Sequence, residues 1–389
     1  MLVVAEAEIA STHLLMQVMK ALSPFDVSAR LRLGRDWAAA RRLDAGVTPL
    51  FARCADPTML PFAEALVEHR RPYLYYLDDD LWSLDPATPL GAYYGHPSVR
   101  ASLDFFVTNA ALVLTNTTSL ADRLQARGAR VAVVPTFFRF DLISNVIPEE
   151  TEEIRIGFAG SVARTADLDL VVEAVTTVLS EDSRTVFEFI GALPNGVVCD
   201  DRLRFFPSIA DYETFIALQA SRNWSIGLAP LLATPSNLSK TDNKFREYAA
   251  CGIAGLYSDV GPYPAAVTNG VDGLLVTDVG WTEALRALLR DPERLRSMRL
   301  AARDNARARY DIEAAARAWE SVINGAIDAF PASHHQPMSL AGVHRRLALA
   351  PFLGTAARVQ AAYRTGGVRM VAEKTANWVR RRVGGSSQP

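Results

Sequence analysis

Short apolar, β-branched runs alternate along the chain with longer stretches of helical periodicity. This is the pattern of parallel strands buried on both faces and joined by crossover helices. The first half predicts strands at 2–5, 27–33, 49–53, 73–77, 112–115 and 131–135. A helix over 57–70 typifies the segments between them, with an apolar face of Leu60, Phe62, Ala65, Leu66 and Val67. The periodicity lapses in FFRFDLISNVIPEET (137–151), which reads as an interdomain connection. A second series opens at Ile154 with IRIGFAGS and predicts strands at 154–159, 185–190, 203–206, 225–230, 254–257 and 273–276. Turn signals such as Pro194-Asn195-Gly196 and Asn269-Gly270 punctuate it. Residues 281–330 read as helical with arginine-rich faces, ASHHQPMS after Pro331 as a linker, and 340–383 as a basic helical tail. No repeat of fixed period runs through the chain. The prediction is α/β, with one doubly wound domain over 1–140 and another over 152–330.

Composition narrows the functions this outline allows. Of 389 residues, 49% are hydrophobic and 22% charged, enough for a large core and too long a chain for a single one. A net charge of -2 leaves no basic excess of the kind a nucleic-acid-binding face carries, so no nucleic-acid partner is expected. Cys54, Cys199 and Cys251 are odd in number and widely spaced, which indicates neither a disulfide framework nor a zinc site. The opening MLVVAEAEIA lacks a basic leader and cleavage site, and no stretch reaches the about 18 apolar residues of a membrane span. The expectation is a cytoplasmic protein. Within 340–383, Arg345, Arg346, Arg358, Arg364, Arg369, Lys374, Arg380, Arg381 and Arg382 face one acid, Glu373, among residues such as Leu349, Phe352 and Trp378. That mixture suits helices lying on anionic lipid at the inner face of a membrane. A solvated extension, or a junction to another domain, fits the same residues.

Ligands of doubly wound sheets bind beyond the carboxyl ends of the strands, so candidate chemistry is sought there. The first strand of the second series ends in Gly157-Phe158-Ala159-Gly160-Ser161, where glycines would let backbone N–H groups approach a phosphate; a tight turn without ligand explains them as well. The dinucleotide fingerprint GxGxxG is absent, which argues against a nicotinamide dehydrogenase. Further on, Lys240, Lys244 and Glu247 are spaced by four and three, along one side of a helix. Cations beside a helix amino terminus suit a pyrophosphate, and a carboxylate a turn or two further suits a ribose diol. A solvated Lys244–Glu247 pair is the bland alternative.

NKFREYAACGIAGLYSDVGPY (243–263), followed by NGVDGLLV (269–276), resembles the donor half of glycosyltransferases of the GT-B fold, especially family 4 and its relatives in bacterial polysaccharide synthesis. The resemblance spans roughly 154–309 and implies two facing Rossmann-like domains, a nucleotide-diphosphate sugar as co-substrate, no other cofactor, no metal, and retention at the anomeric carbon. It implies that Glu247, within EYAACG, binds the donor ribose, and that Gly261-Pro262-Tyr263 lies beside the donor sugar. Two departures stand out. Ser239 replaces a second Glu eight residues before Glu247, and Arg164 is followed by Asp167 and Asp169 where the family has Arg and Lys. Arg164, Lys240 and Lys244 are the substitute phosphate cations, with Gly160 and Ser161 beside them.

In the first series, Asp78-Asp79-Asp80 ends a strand, and three adjacent carboxylates destabilise one another unless something is bound. In the resembled enzymes this strand ends beside the reacting sugar. Asp79 and Asp80 are therefore the acceptor-side candidates for orienting or deprotonating the incoming hydroxyl, with Asp78, His13, Tyr94 and His96 around them. A capping cluster, or an Asp-x-Asp metal site made by Asp78 and Asp80, reads the same residues otherwise. The leading function is sugar transfer to a glycan or lipid-linked glycan in cell-envelope polysaccharide synthesis. A nucleotide-sugar epimerase of the same fold, or a non-catalytic glycan-binding partner of a synthase, are the alternatives.

Overall fold

The computed structural model describes residues 1–6, 10–22, 32–33, 42–149, 151–340, 343, 354–365 and 370–371. The chain forms two compact units, one of residues 1–8, 12–134 and 320–389, the other of 9–11 and 135–319. The helix Ile312–Asp328 begins in the second unit and ends in the first.

The first unit holds strands β1 (Leu2–Ala5), β2 (Arg32–Leu33), β3 (Arg42–Leu43), β4 (Pro49–Ala52), β5 (Leu74–Tyr76), β6 (Leu112–Thr115) and β7 (Val131–Val133). Six of them form a parallel sheet in the order β2-β1-β4-β5-β6-β7. Burial on both faces explains the unbroken apolar runs: every residue of β4 and β5 is buried. Phe51, Tyr73, Tyr75 and Phe106 interlock beside the sheet, with Phe51 and Phe106 ring centroids 5.0 Å apart and Phe51 meeting Tyr73 edge-on at 5.4 Å. The predicted helix over 57–70 is Leu60–Glu68. Of the strand expected at 27–33, Arg32 and Leu33 are strand and the rest lies outside the described residues.

The second unit holds β8 (Ile154–Ala159), β9 (Thr185–Ile190), β10 (Leu203–Phe206), β11 (Ile226–Ala229), β12 (Ala254–Ser258) and β13 (Gly273–Val276), parallel in the order β10-β9-β8-β11-β12-β13. Its core contains a buried charge. Glu188, wholly buried within β9, accepts from Arg222 Nε at 2.9 Å and Nη2 at 2.6 Å and from Trp224 Nε1 at 2.8 Å. Such a carboxylate is tolerable in a core only because it is paired and hydrogen-bonded. Trp224 also decides what Gly157 is for: a Cβ there would overlap the indole ring. Gly157 is therefore a packing glycine, and the phosphate reading of GFAGS falls to Gly160 and Ser161 alone.

The stretch read as a linker is structured. Met338–Ser339 forms β14, antiparallel to β3, with Met338 only 3% exposed in the first unit's core. Arg71 donates to the Gln336 carbonyl, and the Gly46 amide donates to His335 at 2.9 Å. In the tail, a helix covers 354–365, and Arg358 pairs with Asp56; most of the remaining cations lie outside the described residues.

Both sheets reverse their winding once. In the first the chain leaves β1 toward β2 on one side and later returns to β4 on the other; in the second the same happens between β8 and β11. These two switch points are where a doubly wound sheet opens a ligand crevice.

Candidate active site

At the switch point of the second unit, Gly160 follows β8 and donates its N–H to the Ile190 carbonyl at 2.9 Å. A Cβ on Gly160 would lie 2.8 Å from the Phe158 ring and 3.1 Å from Arg164 Cγ, so the missing side chain makes room for the Arg164 stem. Ser161 is exposed, and its carbonyl accepts the Arg164 amide at 2.8 Å. The Arg164 guanidinium bonds Asn237 Oδ1 at 2.9 Å and pairs with Asp167 Oδ2 at 2.9 Å. Asp167, buried, also accepts from the Leu232 amide at 2.9 Å and from Asn237 Nδ2 at 3.0 Å. Asp167 thus ties the loop after β8 to the loop after β11, which answers one of the departures noted in the sequence. Asp169 is engaged by Asn195 Nδ2 at 3.0 Å and pins the Pro194-Asn195-Gly196 turn.

Asn237, which the sequence did not single out, is the hub of this rim. Its carbonyl accepts the Lys240 amide at 3.2 Å, and a Cβ on Gly261 would come within 3.1 Å of it. Gly261 holds φ +63°, a left-handed conformation that glycine adopts without strain. Tyr263 is buried, with its ring centroid 5.0 Å from that of Tyr257. Burial pushes its phenol far above the ordinary range and keeps it neutral.

The helix Asn243–Ala250 carries Lys244 and Glu247. Lys244 Nζ donates to the Ala159 carbonyl at the end of β8 and sits 5.0 Å from the Phe158 ring centroid. Burial pushes its pKa down to about 8, against the opposing pull of Glu247; Arg164 lowers it further. Glu247 is 7% exposed and accepts from the Tyr212 hydroxyl at 3.3 Å. Its pKa is raised by burial, which Lys244 and Arg246 only partly counter. Below the pair, Tyr248 braces the sheet at the switch itself, donating to Leu228 at 2.9 Å and accepting from the Ala159 amide at 3.3 Å.

The first unit's switch point is built from different groups. Arg53, one residue beyond β4, reaches both Asp78 and, at 2.9 Å, Asp79. Burial alone would lower its pKa, but the two carboxylates carry it well above the ordinary value, so it stays charged. Asp80 is separate from them: 2% exposed, it accepts from Arg123 at 2.5 Å and from the Trp82 amide at 3.1 Å, fixing the turn into the following loop. Tyr94 packs edge-on to Tyr93 at 5.2 Å, its pKa pushed up to about 12 by burial against the pull of Arg53. His96 has a structural task instead, capping the helix Pro97–Asn109 by accepting the Ser98 amide at 3.3 Å. His13 is exposed on the helix Ala10–Ala21. Among the described residues no three His, Cys, Asp or Glu side chains gather as metal ligands. Asp78 and Asp80 are each held by a different arginine.

Sequence reasoning missed Arg53, Arg123, Asn237, Tyr212 and Glu6, the last accepting the Ala55 and Asp56 amides at 2.6 Å each. For Arg53 a signal exists, since it is the charged residue that directly follows an apolar strand.

Residues 153–291 match the family model described as Glycosyl transferases group 1. No curated protein matches the chain significantly in sequence. Among solved structures, HepE of Anabaena in complex with UDP is similar at 14% identity and a TM-score of 0.58, over 85% of this chain and 99% of that one. HepE is also known in complex with UDP-glucose. The sucrose-phosphate synthase of Thermosynechococcus elongatus is similar at 12% identity and a TM-score of 0.60, over 85% and 99% of the two chains. Residues 153–291 are thus similar to the group 1 glycosyl transferase domain, and the chain shares the GT-B fold of these structures.

Proposed function

We propose that the chain transfers a sugar from a nucleotide-diphosphate donor to the hydroxyl of a glycan or lipid-linked glycan, with retention and without a metal. The observation that carries this reading is the grouping of Gly160, Arg164, Lys240 and Lys244 at the second unit's switch point, next to the amino end of Asn243–Ala250. With the Gly160 N–H given to Ile190, the rim consists of cations beside a helix terminus, which fits a leaving diphosphate, whose growing charge it would stabilise in place of a metal ion. Glu247, held by Tyr212 one turn into that helix, would take the ribose diol. The UDP and UDP-glucose complexes of HepE, which shares the fold, support a nucleotide-sugar donor.

On the acceptor side Asp79, whose carboxylate Arg53 orients, would meet the incoming hydroxyl, while Asp80 holds its own loop. The tail would add contact with anionic lipid, although Arg358, being paired with Asp56, would contribute little to it. The test begins with a thermal-shift screen of UDP, GDP, dTDP and ADP, because a ligand at 100 times its Kd adds about 2.7 kcal/mol of apparent stability. With the best nucleotide, Glu247→Ala should weaken binding by at least about tenfold in calorimetry, equivalent to about 1.4 kcal/mol. An unchanged affinity removes Glu247 from the donor site.

A further inference from the structure

The loops that follow β1 and β4 leave the first sheet on either side of its switch point, and one side chain ties them together. Glu6, directly after β1, accepts the amides of Ala55 and Asp56 through Oε1, each at 2.6 Å. Just before those amides, Arg53 holds left-handed backbone at φ 53°. A non-glycine residue keeps that conformation only where its surroundings over-determine it. Here the Arg53 amide donates to Tyr76 at 2.9 Å and the Tyr75 hydroxyl donates to the Cys54 carbonyl at 2.9 Å. From the fixed bend the guanidinium reaches Asp78 and Asp79. A continuous set of bonds therefore runs from the Glu6 carboxylate to the Asp79 carboxylate.

We propose that Glu6 is a positioning residue for the acceptor side: by anchoring the 55 and 56 amides it holds the Arg53 bend, and through Arg53 it sets the orientation of Asp78 and Asp79. The proposal rests on the transferase reading for what Asp79 does, though not for the latch itself. Its chemistry is tunable by protons. The charged groups that face Glu6 are Arg53 on the β4 loop and Arg358 on the helix over 354–365. Tyr75 on β5, Tyr93 and Tyr94 on Pro89–Tyr94, and Cys54 face it as neutral groups, each kept protonated by burial. Burial pushes the Glu6 pKa up to about 7, against the Ala55 amide, Arg358 and Arg53. The ionised form is the stronger acceptor for the two amides. The latch therefore tightens, and acceptor use rises, as pH increases through about 7.

Wild type, Glu6→Gln and Glu6→Ala are compared by nucleotide calorimetry, by acceptor-dependent turnover across neutral pH, and by hydrogen exchange at the 55 and 56 amides. Glu6→Ala should leave nucleotide affinity within about twofold while acceptor kcat/KM falls at least about tenfold and both amides exchange at least about tenfold faster. Glu6→Gln, which keeps an acceptor oxygen, should retain most of the protection and lose the rise through neutral pH. Unchanged exchange in Glu6→Ala, or a wild-type pH profile in Glu6→Gln, overturns the proposal. A wild type that binds nucleotide but turns over no donor with any acceptor would instead overturn the transferase reading, leaving the exchange measurement to judge the latch.

Discussion

The two sheets reverse at equivalent places and fill those places with opposite chemistry. In the second unit, Lys244 donates to a neutral carbonyl, and Arg164 and Lys240 stand close enough to act on it. In the first unit, Arg53 is shared by the carboxylates of Asp78 and Asp79. On the proposed function, the same topology would offer an anion-binding rim in one unit and a hydroxyl-binding, proton-accepting rim in the other. The difference lies less in which residues are present than in how they are paired. A cation resting on a carbonyl keeps its charge for a ligand, while a cation shared by two carboxylates is mostly a support for them.

If Arg53 is mainly a support, removing it should be felt first in stability. Arg53→Met leaves Asp78 and Asp79 without their shared cation and should destabilise the first unit by about 2–3 kcal/mol at neutral pH. This is below the roughly 3–5 kcal/mol of a fully buried pair because the Asp79 side chain is 29% exposed and partly screened. Denaturant unfolding measures it, and a variant as stable as wild type would mean that Arg53 is free for ligand work, making the two rims alike. Next in size, Asp79→Asn should lower turnover at least about tenfold with donor affinity unchanged, whereas Asp80→Asn should lower stability by about 1–2 kcal/mol and leave turnover per folded molecule nearly intact. The reverse outcome would transfer the acceptor role to the buried residue and break the assignment of Asp80 to its loop.

The sheets were legible because strands buried on both faces leave uninterrupted apolar runs: the predicted bounds of β1, β6, β8, β9, β10 and β13 coincide with the observed ones. What lay hidden depends on partners remote in sequence. Arg123 stands 43 residues from Asp80 and Arg164 stands 73 from Asn237, distances at which spacing carries no information. The segment before Leu340 reads as a linker by composition, yet Met338 finds Leu43 and enters a core. Lys244 and Glu247 were legible as helix neighbours, but not that burial would move both their pKa values. His96 is the opposite case, since Pro97 at the first helical position marks residue 96 locally as the cap of Pro97–Asn109.

A cation kept for a ligand and one used for folding respond differently to pH. Lys244 has its pKa pushed down to about 8 by burial, while an unfolded lysine titrates near 10.5. Between those values the unfolded chain binds more protons than the folded one, so the Lys244 contribution makes the free protein more stable as pH rises. Donor binding should move the other way, because the ammonium is the form that attracts a diphosphate. If only that form binds, affinity falls roughly tenfold from about pH 7 to 9 as the protonated fraction drops from about 0.9 to about 0.1. Lys244→Met should flatten both trends. A wild-type affinity that does not fall over that range in calorimetry would show that the second rim holds its anion without the Lys244 charge, and a stability that falls with pH in denaturant unfolding would show that this charge belongs to the fold.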